Sequence, residues 1–330
     1  MMSDWTFHGG RLSSAQMAFA QAPVPWLDLS TGINPDVWPG MADLAIDWQR
    51  LPDEAELLGL ERAAAAYFGA DGVDVCALPG TESGLRALRH LGLPAPFRHV
   101  TPGYRTHGEA FDGSVAIARD ALTDEAAKGG TIVLANPANP DGCLMPIAEL
   151  LELAEILARN GGWLVVDEAF IDAHHGASIV PYLTGAEPVV VLRSFGKFFG
   201  LAGLRMGFAI APDAIVQPWR ALLGSWPVSA AGIATGTAAY ADAVWIADMR
   251  VRLDRRARAL DVVLRRHGLE PRGASPLFRL VDCDALALFD RLARAGILTR
   301  PFDYDLRWLR LGVPMGEADL ARLDRAFADG

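Results

Sequence analysis

TIVLANPANPDG (131–142), GWLVVDEAF (162–170) and PVVVLRSFGKFFGLAGLR (188–205) decide the fold. Each carries an unbroken run of Val, Ile, Leu or Trp, then breaks into polar residues and turn formers. A run without alternation is the mark of a strand covered on both faces, as in a parallel sheet, whereas a strand with one wet side alternates. A helical stretch, PIAELLELAEILARN, separates the first run from the second. The series extends on both sides: VCAL (75–78) leads into PGTESGLRALRHLG, FRHVTPGY (97–104) follows, and LRMGFAIA (204–211) closes it. Short apolar strands separated by helices predict βαβ units, hence an α/β fold with a mostly parallel, doubly wound sheet.

Outward from that centre the pattern changes. Residues 1–45, with HGGRLSS and WLDLSTGINPDVWPG, are rich in Gly, Pro, Ser and Asn and read as an extended arm with turns, packed on the small domain and the active site. Leu57, Leu58, Leu60 and Ala64 recur at helical spacing and predict a helix from Asp53 to about Phe68. The large domain is expected over 46–231. Residues 232–267 read as one or two amphipathic helices. SPLFRLVDC, GILTRPF and WLRLGV are strand candidates, with helices DALALFDRLARAG and EADLARLDRAFAD between and after them, so 232–330 is expected to form a small α+β domain.

The chain has 330 residues, with 30 Lys and Arg against 40 Asp and Glu, a net charge of −10. An acidic protein lacks the basic face that a nucleic-acid binder needs to replace phosphate counterions. The opening residues carry no apolar signal core, and no apolar run reaches the ~18 residues of a membrane span, so a cytoplasmic protein is expected, with no nucleic-acid or membrane partner. Cys76, Cys143 and Cys283 are widely spaced, without a CxxC pair, and read as reduced thiols. Lys128 and Lys197 are the only lysines, so Lys197, set among Phe195, Phe198 and Phe199, needs its own explanation.

In open parallel sheets ligands bind at the carboxyl ends of the strands. The polar residues there are Gly80-Thr81-Glu82-Ser83, Tyr104, Asn136, Asn139, Asp167, Ser194 and Lys197, with Arg205 eight residues past the lysine. Asp167 ends an apolar strand, where a carboxylate needs a positive partner; a helix cap or a local Arg is the plain alternative. No matching His/Asp cluster makes it a metal ligand, so no metal is expected, and His174-His175 reads as surface. Lys197 beside aromatic rings is expected to be partly desolvated, which brings out the nucleophilic amine; a snorkelling lysine is the plain alternative. Gly80-Thr81-Glu82 at a helix start, Ser194 and Arg205 suit a phosphate monoester. The fingerprints G-x-x-x-x-G-K-[ST] and G-x-G-x-x-G are absent, which disfavours a nucleotide. One lysine, one acid, one phosphate site, an aromatic face and an amide together match pyridoxal phosphate, which needs an amine for its aldehyde and an acid for its ring nitrogen.

In order, NPANPDG, DEAF, SFGK and GLAGLR resemble the fold-type I pyridoxal-phosphate enzymes of the class I/II aminotransferase group, over nearly the whole chain. The resemblance implies a large domain with a mostly parallel sheet, a small C-terminal domain and a homodimer with sites at the subunit interface. It implies Lys197 as the lysine that takes the aldehyde and Asp167 as the partner of the ring nitrogen. Asn139 would bond the ring hydroxyl, Tyr104 would stack on the ring, and Thr81, Ser194 and Arg205 would hold the phosphate, with Gly80, Glu82 and Phe170 also among the cofactor-binding residues. Within the group, HGGRL and LDLSTGINP resemble the subfamily that decarboxylates L-threonine O-3-phosphate to the aminopropanol phosphate of cobalamin synthesis; histidinol-phosphate-type aminotransferases are the alternative. Phe170 stands where those aminotransferases usually have Tyr, Arg50-Leu51-Pro52-Asp53 where they have an R-Y-P-D-like segment, and Gly196 where Ser or Thr is common. For a small phosphorylated amino acid the expected substrate residues are His8, Gly9, Gly32, Asn34, Asn139, Arg300 and Arg310, with Arg11 a further cationic candidate.

Overall fold

A computed structural model describes residues 3–328; the first two residues of the expected arm and the last two of the chain lie outside the described residues. Along the chain run strands β1 (Leu27–Asp28), β2 (Asp74–Leu78), β3 (Phe97–Val100), β4 (Val115–Ile117), β5 (Thr131–Ala135), β6 (Trp163–Asp167), β7 (Val189–Ser194), β8 (Gly207–Ala211), β9 (Phe278–Asp282), β10 (Ile297–Leu298), β11 (Arg300–Pro301) and β12 (Trp308–Gly312). Two compact units emerge. The smaller comprises the residues up to Asp36, Pro140–Cys143 and those from Asp248 on; the larger comprises Val37–Asn139 and Leu144–Ala247.

The larger unit is built on a seven-stranded sheet of order β2-β8-β7-β6-β5-β3-β4. Pairing is parallel from β4 through β7. β8 runs antiparallel to both β7 and β2. The fold is therefore α/β with a mostly parallel sheet. The unbroken runs behave as their composition requires, with Val165, Val190, Leu192 and Ala209 all buried in one core cluster. Helix Ile147–Arg159 buries Leu150, Leu153, Ala154 and Leu157, the i, i+3, i+4, i+7 stripe of a helix on a sheet. Helix Glu54–Phe68 starts where the sequence predicts. Asp53 accepts from Ala55 N, and the Glu56 side chain returns to the Asp53 amide in a capping box. This gives the Arg50–Asp53 segment a local job, since Arg50 also pairs with Glu56 at 2.6 Å.

The boundaries differ from those read off composition. Helix Ala230–Ala241 packs against helix Glu54–Phe68 and so belongs to the larger unit. The division falls instead inside helix Ala243–Arg266.

In the smaller unit β12 lies between β11 and β9, antiparallel to both, and β1 pairs in parallel with β10. The N-terminal residues thus form part of this unit. They also contain helices Ser3–Thr6 and Leu12–Ala18, which a turn-rich composition does not predict. Aromatic packing accounts for the order: Trp5 and Phe19 meet Phe289 of helix Ala285–Arg294 at ring distances of 5.5 and 6.3 Å, and Phe19 also meets Trp26. Among the described residues no helix is long and apolar enough to cross a membrane.

Candidate active site

The carboxyl ends of β5, β6 and β7 are neighbours in the larger unit, and the chemistry collects there. Asp167 closes β6 and is buried. Its Oδ1 accepts from Ala169 N at 3.0 Å, and its Oδ2 lies 2.9 Å from His107 Nε2, itself fully buried. Pairing with an imidazole answers the demand that a strand-end carboxylate meet a positive or donating partner. The sequence reading missed His107. Its one signal is position, three residues after Tyr104, which caps helix Arg105–Glu109 while His107 lies within it, their rings edge to face at 5.7 Å.

Next in the chain, Glu168 takes the opposite face, as strand alternation requires. It is fully buried and accepts from Ser178 Oγ at 2.6 Å, Ile179 N at 2.9 Å and Arg193 Nη1 at 3.3 Å. Arg193 also pairs with Asp172 and stands over the Phe68 ring at 4.3 Å. Burial pushes the Glu168 carboxyl up, against the pull of Arg193. Asp172 pushes the same way as burial, while the donors Ser178, Ile179 and Arg193 favour the charged form. The DEAF segment is therefore two-sided, with one acid facing the candidate site and one holding the sheet beneath it.

Lys197 sits half-buried on the short helix Phe195–Phe198, immediately after β7. Phe195, Phe198 and Phe199 are buried, and Phe199 stacks on Phe195 and on Trp245, so the rings anchor the turn that carries the lysine. The Lys197 ammonium lies over the Phe170 ring, 5.6 Å from its centre. At Gly196 a Cβ would stand 2.5 Å from Ala202 Cα, so in this backbone the position has no room for the Ser or Thr common elsewhere.

The phosphate candidates converge around the start of helix Thr81–Ala87. Ser194 pairs with Gly207 across β7 and β8. A Cβ on Gly207 would lie 2.7 Å from Thr81 N, so strand and helix start touch there. Thr81 Oγ1 donates to the Arg193 carbonyl at 3.1 Å. Gly80 has φ +88°, and a Cβ on it would meet Arg205 Nη2 at 3.0 Å. Among the described residues Arg205 alone combines a side chain with positive φ, at 55°. Such a conformation costs about 1 kcal/mol or more and tends to persist at functional sites. Helix-start amides, a hydroxyl and a guanidinium, all groups able to donate to an anion, are thus gathered in one place. Asn139, also buried, lies beyond β5, whose end is tied to β6 by Asn136 N donating to the Asp167 carbonyl at 2.9 Å. Glu82 points its carboxylate at Tyr104 and Thr106.

The smaller unit holds the remaining candidates. Arg300 and Arg310 are direct cross-strand partners on β11 and β12. Both are buried, at 8% and 2% exposed. Arg310 Nη2 donates to the Ser30 carbonyl at 3.0 Å, and its guanidinium stands over Phe278 at 5.0 Å. Arg300 donates to the Phe7 carbonyl and stands over Phe302 at 4.8 Å. Burial, with the like charge of Arg300, pushes Arg310 down to about 9. Asp28 and Tyr304 act on Arg310 in the opposite direction. Ser30 also links HGGRL to this region: Gly10 N donates to Ser30 Oγ at 2.7 Å, Ser30 Oγ donates to Asp28 at 2.6 Å, and a Cβ on Gly9 would collide with the Ser30 carbonyl oxygen. Gly9 is thus required to be glycine by close approach. His8 is exposed, with Nδ1 on the Gly9 carbonyl. Gly32 and Asn34 are buried, and Asn34 accepts from Asp36 N.

A mixed sheet with a lysine, an acid and a group of hydrogen-bond donors at its strand ends defines the class, and the comparisons agree. The chain belongs to the aminotransferase class I and II family, whose sequence profile matches residues 107–327. It is 39% identical over 327 residues, 97% of this chain and 96% of the relative, to the threonine-phosphate decarboxylase of Pseudomonas aeruginosa. To the threonine-phosphate decarboxylase of a Sinorhizobium species it is 38% identical over 338 residues, 99% of each chain. Among solved structures, histidinol-phosphate aminotransferase from Sinorhizobium meliloti, in complex with pyridoxal 5′-phosphate, superposes with a TM-score of 0.83 over 96% of this chain and 93% of its own, at 22% identity.

Proposed function

We propose that this protein is a pyridoxal-phosphate-dependent carboxy-lyase that converts L-threonine O-3-phosphate to carbon dioxide and (R)-1-amino-2-propanol O-2-phosphate, the linker precursor of cobalamin synthesis. The observation that carries the reading is the likeness, along almost the entire chain, to two relatives named threonine-phosphate decarboxylase. The reading includes a homodimer in the cytoplasm, a compartment that suits the three unpaired thiols of Cys76, Cys143 and Cys283.

The residues of the larger unit fit the cofactor. Gly80, with no side chain, lets the Arg205 guanidinium come up against the helix start, so the amides and the guanidinium lie close enough to share one anion. Lys197 supplies the amine for the aldehyde, and Asp167 the carboxylate for the ring nitrogen. When bound, pyridoxal phosphate supplies an electron sink for the carbon–carbon bond that breaks. The chain does the rest. Asp167, kept in place by His107, would keep the ring nitrogen protonated. Tyr104 offers a ring face, and Asn139 a donor for the ring hydroxyl. Lys197 Nζ, or a nearby acid, would return a proton to the substrate carbon that loses carbon dioxide. The choice of bond depends on orientation, because the carboxylate must stand perpendicular to the ring for its bond to overlap the π system. Arg310 and Arg300, buried side by side, would take anionic groups of the substrate, and a phosphate dianion matches their combined charge.

Product analysis tests the reading. Purified protein is incubated with L-threonine phosphate, with and without 2-oxoglutarate. Carbon dioxide and aminopropanol phosphate are expected without the oxoacid. Glutamate formed only with the oxoacid would instead identify a histidinol-phosphate-type aminotransferase.

A further inference from the structure

Glu82 has no evident use in that reading. A carboxylate at the helix start that holds a phosphate sets one anion against another. The structure turns it aside. Glu82 Oε2 accepts from the Tyr104 hydroxyl at 2.8 Å, and both of its oxygens accept from Thr106 Oγ1, at 3.0 and 2.9 Å. Its charge is met by Arg86 Nε at 2.8 Å, and Arg86 is steadied in turn by Glu109 at 3.0 Å.

Tyr104 precedes helix Arg105–Glu109, where nothing in the backbone fixes the tilt of its ring. A stacking ring needs a set plane, and a hydrogen bond at the far, hydroxyl end supplies one. The acceptor belongs to the residue directly after Thr81. We propose that Glu82 is a positioning residue: by holding the Tyr104 hydroxyl, it fixes the plane on which the cofactor ring stacks, without touching the cofactor. Phosphate cradle and stacking face then move as one hydrogen-bonded body, so a single rotation of the helix start cannot misalign one against the other. Burial and the Glu82 charge also push the Tyr104 phenol up to about 12, so it remains a donor across the working pH range. The inference rests on the proposed role of Tyr104 as the stacking ring.

The test is a double-mutant cycle on the holoprotein with Glu82→Ala, Tyr104→Phe and the pair, read as pyridoxal phosphate dissociation constants. A hydrogen bond to a charged group supports a loss of about tenfold for each single variant. If Glu82 acts through the hydroxyl, the double variant is no weaker than the weaker single. The circular dichroism induced in the bound cofactor should change alike in all three. The high-pH tyrosine titration should move toward the ordinary range in Glu82→Ala and vanish in Tyr104→Phe. Glu82→Gln, whose amide oxygen still accepts, should keep most of the affinity. Losses that multiply to about a hundredfold, a Glu82→Ala variant that binds as well as the parent, or equal losses for Gln and Ala would overturn the proposal. A parent protein that binds no pyridoxal phosphate would overturn the reading beneath it.

Discussion

Replacing Arg310 by Met should make the unliganded protein more stable and ruin it as an enzyme. The guanidinium is 2% exposed and faces Arg300 across two paired strands. Its fall to about 9, caused first by burial and then by the like charge of Arg300, corresponds to about 5 kcal/mol against the charged form. Met returns part of that. The Ser30 carbonyl loses its charged donor, about 1–3 kcal/mol, and the attraction to the Phe278 ring is lost, about 1 kcal/mol. The balance is a gain of about 1–3 kcal/mol, within the range seen when buried charges give way to apolar side chains of similar volume. A chain of this size should melt about 1–4 °C higher. The sign holds over the working pH range: the folded-state pKa lies below the unfolded one, so the charge costs stability at every pH from 5 to 8, and the gain should be flat across it. Thermal unfolding with and without inorganic phosphate reads both halves. Phosphate should raise the melting point of the parent more than that of Arg310→Met, because only the parent keeps both cations. Saturation by threonine phosphate should be lost in the variant. Destabilisation by more than about 1 kcal/mol would refute the reasoning, since Arg310 would then be a structural residue and not a strained receptor for an anion.

Three further outcomes follow from the geometry. His107→Phe removes the partner of Asp167 and should weaken pyridoxal phosphate binding about 10- to 100-fold, measured by absorbance titration; unchanged binding would show that Asp167 needs no partner. Glu168→Gln keeps the shape but puts an amide donor where Ser178, Ile179 and Arg193 all donate, and should cost about 1–3 kcal/mol in urea unfolding; a neutral result would mean that Glu168 is already protonated. Asp324, held below the usual carboxylate range chiefly by its bond to His267, helps stability above the unfolded carboxyl pKa and loses that effect as pH falls through the folded one. Asp324→Asn should therefore narrow the difference in melting point between pH 7 and pH 3; an unaltered difference would remove Asp324 from the acid response.

The strands that carry the site were legible because burial on both faces forces apolar runs, and β5, β6 and β7 coincide with them to within a residue or two. The antiparallel direction of β8 was not legible, since Gly207–Ala211 has the same composition as its parallel neighbours and direction is set by the connection before it. Strand β4 and helix Arg105–Glu109 lie hidden in a polar stretch because they are only three and five residues long. Helix Asp213–Leu223 is masked by Pro218 within it. At the site, strand-end position found Asp167, Ser194 and Lys197, whereas His107 escaped because its partner lies sixty residues away and no spacing rule connects a helix start to a strand end. The HGG segment had a physical reason that sequence alone conceals: Gly9 abuts the Ser30 carbonyl.

The pairs Asp167-Glu168 and Arg193-Ser194 show why these motifs have the spacing they do. Neighbours at a strand end face opposite sides. Asp167 and Ser194 belong to the candidate site, while Glu168 and Arg193 bind each other on the reverse of the sheet. Glu168 N donates to the Leu192 carbonyl at 2.8 Å, so the backbone pairing carries on past the last residue of β6. A slip of β7 by one residue against β6 would turn over the faces of β7 alone, bringing the Arg193 guanidinium into the site and sending the Ser194 hydroxyl to the reverse, opposite Glu168. The ion pair makes that slip costly, because it would leave charges buried without partners. On this argument Glu168 and Arg193 stand beside the functional residues because they fix which of two adjacent side chains the sheet presents.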